Sequence, residues 1–243
     1  MNASGAAQSH PLQICRWLLL LTLAWALLFG GLALLRLLSL DTLIAAADIY
    51  QLALGFALTA ALLASLKTSR NRSAVLVTSL AIVSWTLGQL FWFSYTLLMK
   101  SPLPYPSVGD LGFTGSYFLL IGVLGLLKKP QNQAKESTAA FALLLLPLLL
   151  AVFGQSSPGV RLYNFVLSLA ASFTLYKALS LRREPKNRWL LAGILALAAS
   201  DAVFMTSVVL LRASRTATSA PLYPLALALI AYGILKREEK TDG

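Results

Sequence analysis

Long apolar stretches recur along the chain, and short polar segments that carry most of the charges separate them. Eight stretches stand out, at residues 17–38, 42–66, 74–99, 111–127, 138–153, 160–181, 189–211 and 222–235. About 20 apolar residues in a helix cross a hydrocarbon core of ~30 Å, and backbone groups in lipid must be paired within the segment. The pattern therefore predicts an all-α integral membrane protein with a bundle of about eight transmembrane helices.

The fifth and eighth stretches are the weakest, and Pro147 interrupts the fifth. Short spans are tolerated by bilayer thinning or by burial among neighbouring helices, so seven spans is the alternative to eight. Arg16 precedes the first stretch, which is too long for a signal peptide and lacks a small-residue cleavage site after it. The predicted organisation is a polar leader at 1–16, a single bundle at 17–236 and a short cytoplasmic tail at 237–243.

The basic residues fall unevenly on the two sides of this predicted bundle. If the even-numbered stretches end on one side, that side collects 15 of the 20 Lys and Arg residues. Cytoplasmic loops carry the Lys/Arg excess, so both termini are predicted to lie in the cytoplasm. This arrangement requires an even number of spans.

Three of the apolar stretches begin and end in a similar way. The second, fourth and eighth stretches each begin after a polar or proline-bearing turn and end at a Leu-Lys pair, at 66–67, 127–128 and 235–236. Repeated helical hairpins would produce this pattern. The alternative is that every inward-going helix ends in a basic residue for topological reasons alone.

Composition excludes several classes of protein. Only 12% of the residues are charged, and the net charge of +11 is dispersed between apolar segments rather than clustered as a nucleic-acid face would require. Cys15 is the single cysteine and His10 the single histidine, so a histidine-ligated metal or haem within the membrane is excluded. No phosphate-binding loop and no nucleophile with a histidine base are present. The sequence predicts no cofactor, and an enzyme is the least favoured class.

Asp201 is the leading candidate for a functional side chain. It lies about 12 residues into the seventh stretch, where an acid is costly unless it faces the bundle interior and finds a partner. A functional group and an interhelical hydrogen bond are equally compatible with this position. Asp48, just inside the outer end of the second stretch, is a second intramembrane acid.

Asp110 follows the proline-rich turn that precedes the fourth stretch. Ser107 and Asp110 have the spacing of a helix N-terminal capping box, and an acid there also complements the helix dipole. Capping is therefore favoured over catalysis for Asp110, although a cap does not prevent the same turn from closing a pocket.

One face of the third stretch combines aromatic and polar side chains. Trp85, Gln89, Trp92 and Thr96 share this face at spacings of four, three and four. Aromatic rings with a few polar groups are typical of a small-molecule pocket, and they are equally typical of an aromatic belt at the membrane surface. A deep Gln89 is the feature that a belt does not explain. The pocket hypothesis names six ligand-binding residues: Gln89, Trp92, Tyr95, Asp110, Tyr117 and Asp201.

Residues 85–127 resemble a known membrane hairpin. They contain GQLFW at 88–92 and PYPSVGDL at 104–111, followed by Tyr117 and Gly122. This is similar to the helix–"PPxPSxAD"–helix hairpin of multi-helix bacterial membrane modules that precede diguanylate cyclase (GGDEF), phosphodiesterase (EAL) or histidine kinase domains. The chain departs from that pattern in having Gly109 where alanine is usual and Leu103 in place of the first proline.

The resemblance implies a sensory input module of a bacterial inner membrane, with a small-molecule or lipid ligand. No output domain follows the last stretch of this sequence, so the expected signalling partner is a separate protein, and nucleic acid is not an expected partner. Two other classes remain open. One is a small transporter or proton-coupled permease that uses Asp201 and Asp48 as proton carriers. The other is a structural subunit of a membrane complex.

Overall fold

Seven α-helices account for most of the chain that the structure describes. This computed structural model describes residues 3–35, 37–99, 106–127, 158–210 and 221–238. The helices are α1 (Ala3–Leu34), α2 (Leu40–Ser65), α3 (Arg72–Phe93), α4 (Val108–Leu127), α5 (Pro158–Ser180), α6 (Arg188–Leu210) and α7 (Leu222–Glu238). A π-helical turn, Ser94–Leu98, continues α3, and a 3-10 turn, Pro185–Asn187, precedes α6.

The helical membrane character of the prediction is confirmed. Six helices, α1 to α6, each contain a stretch long and apolar enough to cross a membrane, and no strand occurs among the residues described. The predicted fifth stretch, 138–153, lies outside the described residues. The count of eight spans, the cytoplasmic termini and the repeated hairpins therefore stay predictions. The segment predicted as a polar leader is helical from Ala3 onward and continuous with the first apolar stretch.

Side chains at the helix starts explain where several helices begin. The Ser39 hydroxyl accepts a hydrogen bond from the Thr42 backbone N–H at 3.2 Å at the start of α2. The Asn71 side chain does the same for Ala74 at 3.1 Å at the start of α3. Such caps pair backbone donors that have no partner within the helix.

Among the described helices, α3 and α4 form the most extensive pair, and glycines allow their backbones to meet. A Cβ atom at Gly112 would lie 2.5 Å from the Ser84 carbonyl oxygen and 2.8 Å from the Gly88 Cα. A Cβ at Gly88 would lie 2.6 Å from the Gly109 carbonyl oxygen. Small residues permit this close packing between membrane helices, and here they bring the end of α3 against the start of α4.

The shortest of the described α-helices, α7, is also one of the most enclosed. With 17 residues it packs against α1, α2, α3 and α6. Its buried residues are Pro224, Ala226, Leu227, Ala228, Ile230, Ala231, Gly233, Ile234 and Leu235. This burial among neighbours accounts for the short eighth stretch that the sequence predicted.

A polar cluster ties the last turn of α7 to three other elements. The Arg237 guanidinium donates to the Asn187 side chain and, at 3.3 Å, to the Leu127 carbonyl oxygen at the end of α4. It also lies 3.7 Å from the Glu184 carboxylate. The Glu238 carboxylate accepts from the Asn71 backbone N–H at 2.7 Å. We call this end of the molecule, where α2 and α5 end and α3 and α6 begin, the basic end.

Candidate functional site

A cavity of about 60 Å³ lies at the end of the bundle opposite to the basic end. It forms where α3 ends, where α4, α5 and α7 begin, and beside the second half of α6. Its lining residues are Trp85, Gln89, Trp92, Asp110, Phe113, Tyr163, Leu167, Asp201, Phe204 and Tyr223. The cavity is large enough for a few water molecules or a small polar group, since one water needs roughly 10–15 Å³ by this measure.

Two tyrosines from different helices hold the Asp201 carboxylate. The Tyr117 hydroxyl on α4 donates to one carboxylate oxygen, and the Tyr223 hydroxyl on α7 donates to the other at 2.7 Å. Tyr117 is 1% exposed and Asp201 is 9% exposed, so both groups are removed from bulk solvent. The three side chains connect α4, α6 and α7, and they fix the orientation of the carboxylate beside the cavity. Ser200, the neighbouring residue, instead donates to the Ala196 carbonyl oxygen at 2.7 Å.

Asp110 is buried at the first turn of α4. One carboxylate oxygen accepts from the Ser107 backbone N–H at 2.5 Å and from the Ser107 hydroxyl at 3.0 Å. The half of the predicted capping box in which Asp110 accepts from the Ser107 N–H is therefore present. The same carboxylate interacts with Trp92 and Tyr163 and lines the cavity, so the cap is also part of the cavity wall.

Gln89 connects the cavity to a third acidic side chain. Its side-chain amide donates to the Asp48 carboxylate on α2 at 2.8 Å. Gln89 is 7% exposed and lines the cavity, whereas Asp48 lies behind it and outside the lining. The neighbouring Tyr50 does not reach this site, since its hydroxyl pairs with Thr22 at 2.9 Å.

The walls of the cavity are mostly aromatic, and the rings contact one another. Trp85 lies 5.6 Å from both Phe113 and Tyr223, measured between ring centroids. Trp92 lies 6.3 Å from Phe113 and 5.8 Å from Phe204, both edge-on. These distances suit favourable aromatic pairs, so each of these five rings contacts at least one other.

The structure brings four of the six predicted site residues to this cavity: Gln89, Trp92, Asp110 and Asp201. Tyr117 lies directly behind Asp201 and holds it. Tyr95 is not among the lining residues that the structure describes, and its ring packs on Phe91 at 5.0 Å. Tyr95 follows Phe91 by four residues and lies in the π-helical turn that continues α3.

Sequence reasoning missed several lining residues. Tyr163 and Leu167 come from α5, Tyr223 from α7, and Phe113 and Phe204 from the α4 and α6 helices whose acids were identified. Tyrosines near the predicted outer starts of the sixth and eighth stretches were the available signal. Their convergence depends on helix order in space, which apolar runs do not specify.

The arrangement can bind and orient a small polar group. Its donors and acceptors are two carboxylates, tyrosine hydroxyls, the Trp92 side chain and one amide. Among the described parts of the chain, no group of three or more His, Cys, Asp or Glu side chains is placed to hold a metal ion. Comparison of the chain with protein-family models, curated proteins and solved structures finds no match.

Proposed function

We propose that this protein is a membrane-embedded ligand-binding module with a sensory role. The observation that carries the proposal is the cavity at one end of the bundle, where two buried carboxylates, Asp110 and Asp201, stand among aromatic rings. Acids inside a membrane bundle are costly, and they mark sites of binding or transfer more often than other positions. An aromatic pocket with a few oriented polar groups is the general form of a small-molecule site.

Helix α7 supplies a route from this cavity to the other end of the bundle. Tyr223 in the first turn of α7 contacts Asp201. Arg237 in the last turn of α7 contacts the C-terminal end of α4 and the 3-10 turn before α6. A 17-residue helix is about 25 Å long. A ligand that displaces Tyr223 would bias the position of this rigid element, and a separate signalling protein at the basic end would respond to the shift.

The proposed setting is a bacterial inner membrane with both termini in the cytoplasm. The exposed side chains at the basic end include Lys67, Arg70, Arg182, Arg183 and Lys186, and such a Lys/Arg excess favours the cytoplasmic side. The cavity would then face the periplasm. The similarity of residues 85–127 to bacterial sensory hairpins supports the same assignment.

Native mass spectrometry of gently purified protein tests the binding role. Wild type is compared with Asp201→Asn and Trp92→Ala, with Asp41→Asn as a matched control, because Asp41 is exposed at the start of α2. We expect a small molecule or specific lipid on wild type and on the control, and its loss from the two folded cavity variants. Equal occupancy of a ligand on all four proteins, or none on any, would contradict the proposal.

A proton-coupled permease is the second candidate. The observation that favours it is the position of Asp48, which accepts a hydrogen bond from the Gln89 amide. Gln89 therefore lies between Asp48 and the cavity that contains the other two acids. Acidic side chains in membrane helices serve as proton relays. Proteoliposome uptake that dissipates a proton gradient, and that stops with Asp48→Asn or Asp201→Asn, would favour transport over sensing.

A structural role is favoured by a different feature, the bonds that join α4, α6 and α7 through Asp201. If Asp201→Asn abolished folding while no ligand bound wild type, the protein would be a structural subunit, with its aromatic residues serving as packing.

A further inference from the structure

The charged and aromatic groups of the cavity favour a positively charged ligand. Two of its described lining residues, Asp110 and Asp201, are acidic, and none is Lys, Arg or His. The faces of aromatic rings carry negative partial charge and attract cations. Six of the ten lining residues are aromatic: Trp85, Trp92, Phe113, Tyr163, Phe204 and Tyr223. Carboxylates and rings therefore act in the same direction.

The Asp201 carboxylate is also positioned to accept further hydrogen bonds. A carboxylate has about four lone-pair positions, and Asp201 uses one on each oxygen for Tyr117 and Tyr223. Because two hydroxyls from separate helices fix the group, it stays oriented beside the cavity without a ligand. A donor-bearing cation would find an acceptor already in place, which lowers the entropic cost of binding.

Size and ligand chemistry distinguish an organic cation from a metal ion. The cavity volume of about 60 Å³ corresponds to roughly four water-sized volumes, which suits a group of a few heavy atoms. Hard metal ions are bound by several oxygen ligands, whereas the described cavity presents rings on most of its surface. Aromatic cages with an acidic partner are an arrangement by which proteins bind ammonium groups.

On the basis of the proposed ligand-binding function, we propose that the ligand presents a small organic ammonium group. The group lies beside Trp85 and Trp92, its N–H groups donate to Asp201 with the charge of Asp110 nearby, and the rings cover its apolar part. The ammonium belongs either to a free amine or to an ethanolamine lipid headgroup, since the cavity contacts only the charged end of the ligand.

Three probes that share a tert-butyl group test the sign of the ligand charge on the full chain in detergent micelles. They are tert-butylammonium, neutral tert-butanol and anionic pivalate at matched ionic strength. Binding is followed by tryptophan fluorescence, to which Trp85 and Trp92 contribute as two of the five tryptophans of the chain. We expect saturable binding of the cation, at least roughly ten-fold tighter than either other probe. Equal or tighter binding of the alcohol or the anion would overturn the proposal, and this comparison needs no variant.

Variants test whether the signal comes from the cavity. Trp92→Leu should weaken tert-butylammonium binding by about ten- to thirty-fold, the scale of a desolvated cation–π contact. Trp92→Phe should retain part of the affinity. Trp17→Leu is the control, because Trp17 is 70% exposed on α1 and should bind as wild type. Unchanged binding by folded Trp92→Leu would overturn the aromatic cage.

Lipid composition distinguishes the two sources of the ammonium. In phosphatidylglycerol nanodiscs, added phosphatidylethanolamine should weaken tert-butylammonium binding several-fold if the headgroup is the ligand. It should leave binding unchanged if a free amine is the ligand.

The outcomes also separate this inference from the proposed function. A molecule that co-purifies with wild type, is lost from Asp201→Asn and is not displaced by tert-butylammonium would keep the binding role and overturn the ammonium assignment. Absence of any bound molecule together with absence of probe binding would overturn both.

Discussion

Asp201 shows how an acidic side chain is accommodated inside an apolar bundle. Its neighbours on α6 are mostly Ala, Leu and Val, and no basic side chain appears among the lining residues that the structure describes. The carboxylate is stabilised instead by two hydroxyl donors, from Tyr117 and Tyr223. Hydrogen bonds to a charged acceptor are stronger than neutral ones. The cost of burial is thus offset locally, and the same bonds connect three helices.

Removing one of these hydroxyls should weaken the bundle without removing a ring. Tyr223→Phe keeps the contact with Trp85 and deletes the donor to Asp201, so we expect a loss of about 1 kcal/mol in the free energy of unfolding, as for other interhelical hydrogen bonds in membranes. Unfolding in mixed micelles with a denaturing detergent measures this. Tyr232→Phe is the control on the same helix, since Tyr232 packs on Trp189 at 5.5 Å and should stay within about 0.5 kcal/mol. Equal stability of Tyr223→Phe and wild type would show that the bond contributes nothing net.

At this scale the sequence predicts the acids better than their partners. Asp201 stands out because a charge interrupts an apolar run, and Ser107 with Asp110 stand out because capping depends on local spacing. Tyr117 is 84 residues away from Asp201 in the chain, and only the packing of the helices brings the two together. Tyr95 follows Trp92 by three residues, yet it lies in the π-helical turn and its ring packs on Phe91 rather than lining the cavity.

Between elements, the close approach of α3 and α4 determines the shape of the cavity. Trp85, Gln89 and Trp92 on α3 face Asp110 and Phe113 on α4, and they do so because glycines at 88, 109 and 112 let the two backbones touch. Apolar periodicity predicts both helices but not this contact. The proline-serine turn predicts only that the two helices follow one another closely in the chain.

Adding a methyl group at this contact should force the two helices apart. Gly112→Ala would place its Cβ 2.5 Å from the Ser84 carbonyl oxygen, and backbone atoms have no room to rotate away. We expect a loss of about 1–3 kcal/mol in unfolding free energy, the usual cost of overpacking, together with weaker ligand binding. Gly125→Ala, in the same helix, has no atom within 4 Å of its new Cβ and should be neutral or slightly stabilising. The same effect from both substitutions would indicate helix propensity rather than the α3–α4 contact.

At the basic end, one arginine joins several elements. Arg237 is 11% exposed and contacts Asn187, Glu184 and the Leu127 carbonyl oxygen. Arg237→Gln should cost about 1–2 kcal/mol, since charge-assisted hydrogen bonds to partly buried groups are lost. Arg183→Gln, at an exposed position between α5 and α6, should change stability by less than about 0.5 kcal/mol. Detergent-induced unfolding compares the two, and similar losses would show that net charge, rather than these contacts, stabilises this end.

For the whole molecule, apolar runs predict which segments are helices and roughly where they end. The described helices coincide with seven of the eight predicted stretches, and the short eighth stretch is stable because it lies among α1, α2, α3 and α6. The apolar runs do not predict how the helices are arranged in space. Nothing in the sequence indicates that α7 is central, or that α5 and α7 contribute Tyr163 and Tyr223 to the same cavity as α3.

Single-cysteine labelling tests the orientation of the whole bundle in the membrane. Cys15 is buried, and Cys15→Ala provides the background. On intact cells a membrane-impermeant maleimide should label Pro106→Cys and Val108→Cys, which lie at the cavity end. It should label Lys67→Cys and Arg183→Cys at the basic end only after permeabilisation.

A fifth position separates exposure to lipid from exposure to water. Leu27 is 79% exposed on α1, so Leu27→Cys would react readily in a soluble protein, whereas in a bilayer it should stay unlabelled until the protein is unfolded. Because thiolate formation needs water, lipid contact suppresses the reaction even at a fully exposed site. Labelling of the basic-end positions on intact cells, with the cavity end protected, would reverse the proposed orientation and place the cavity in the cytoplasm.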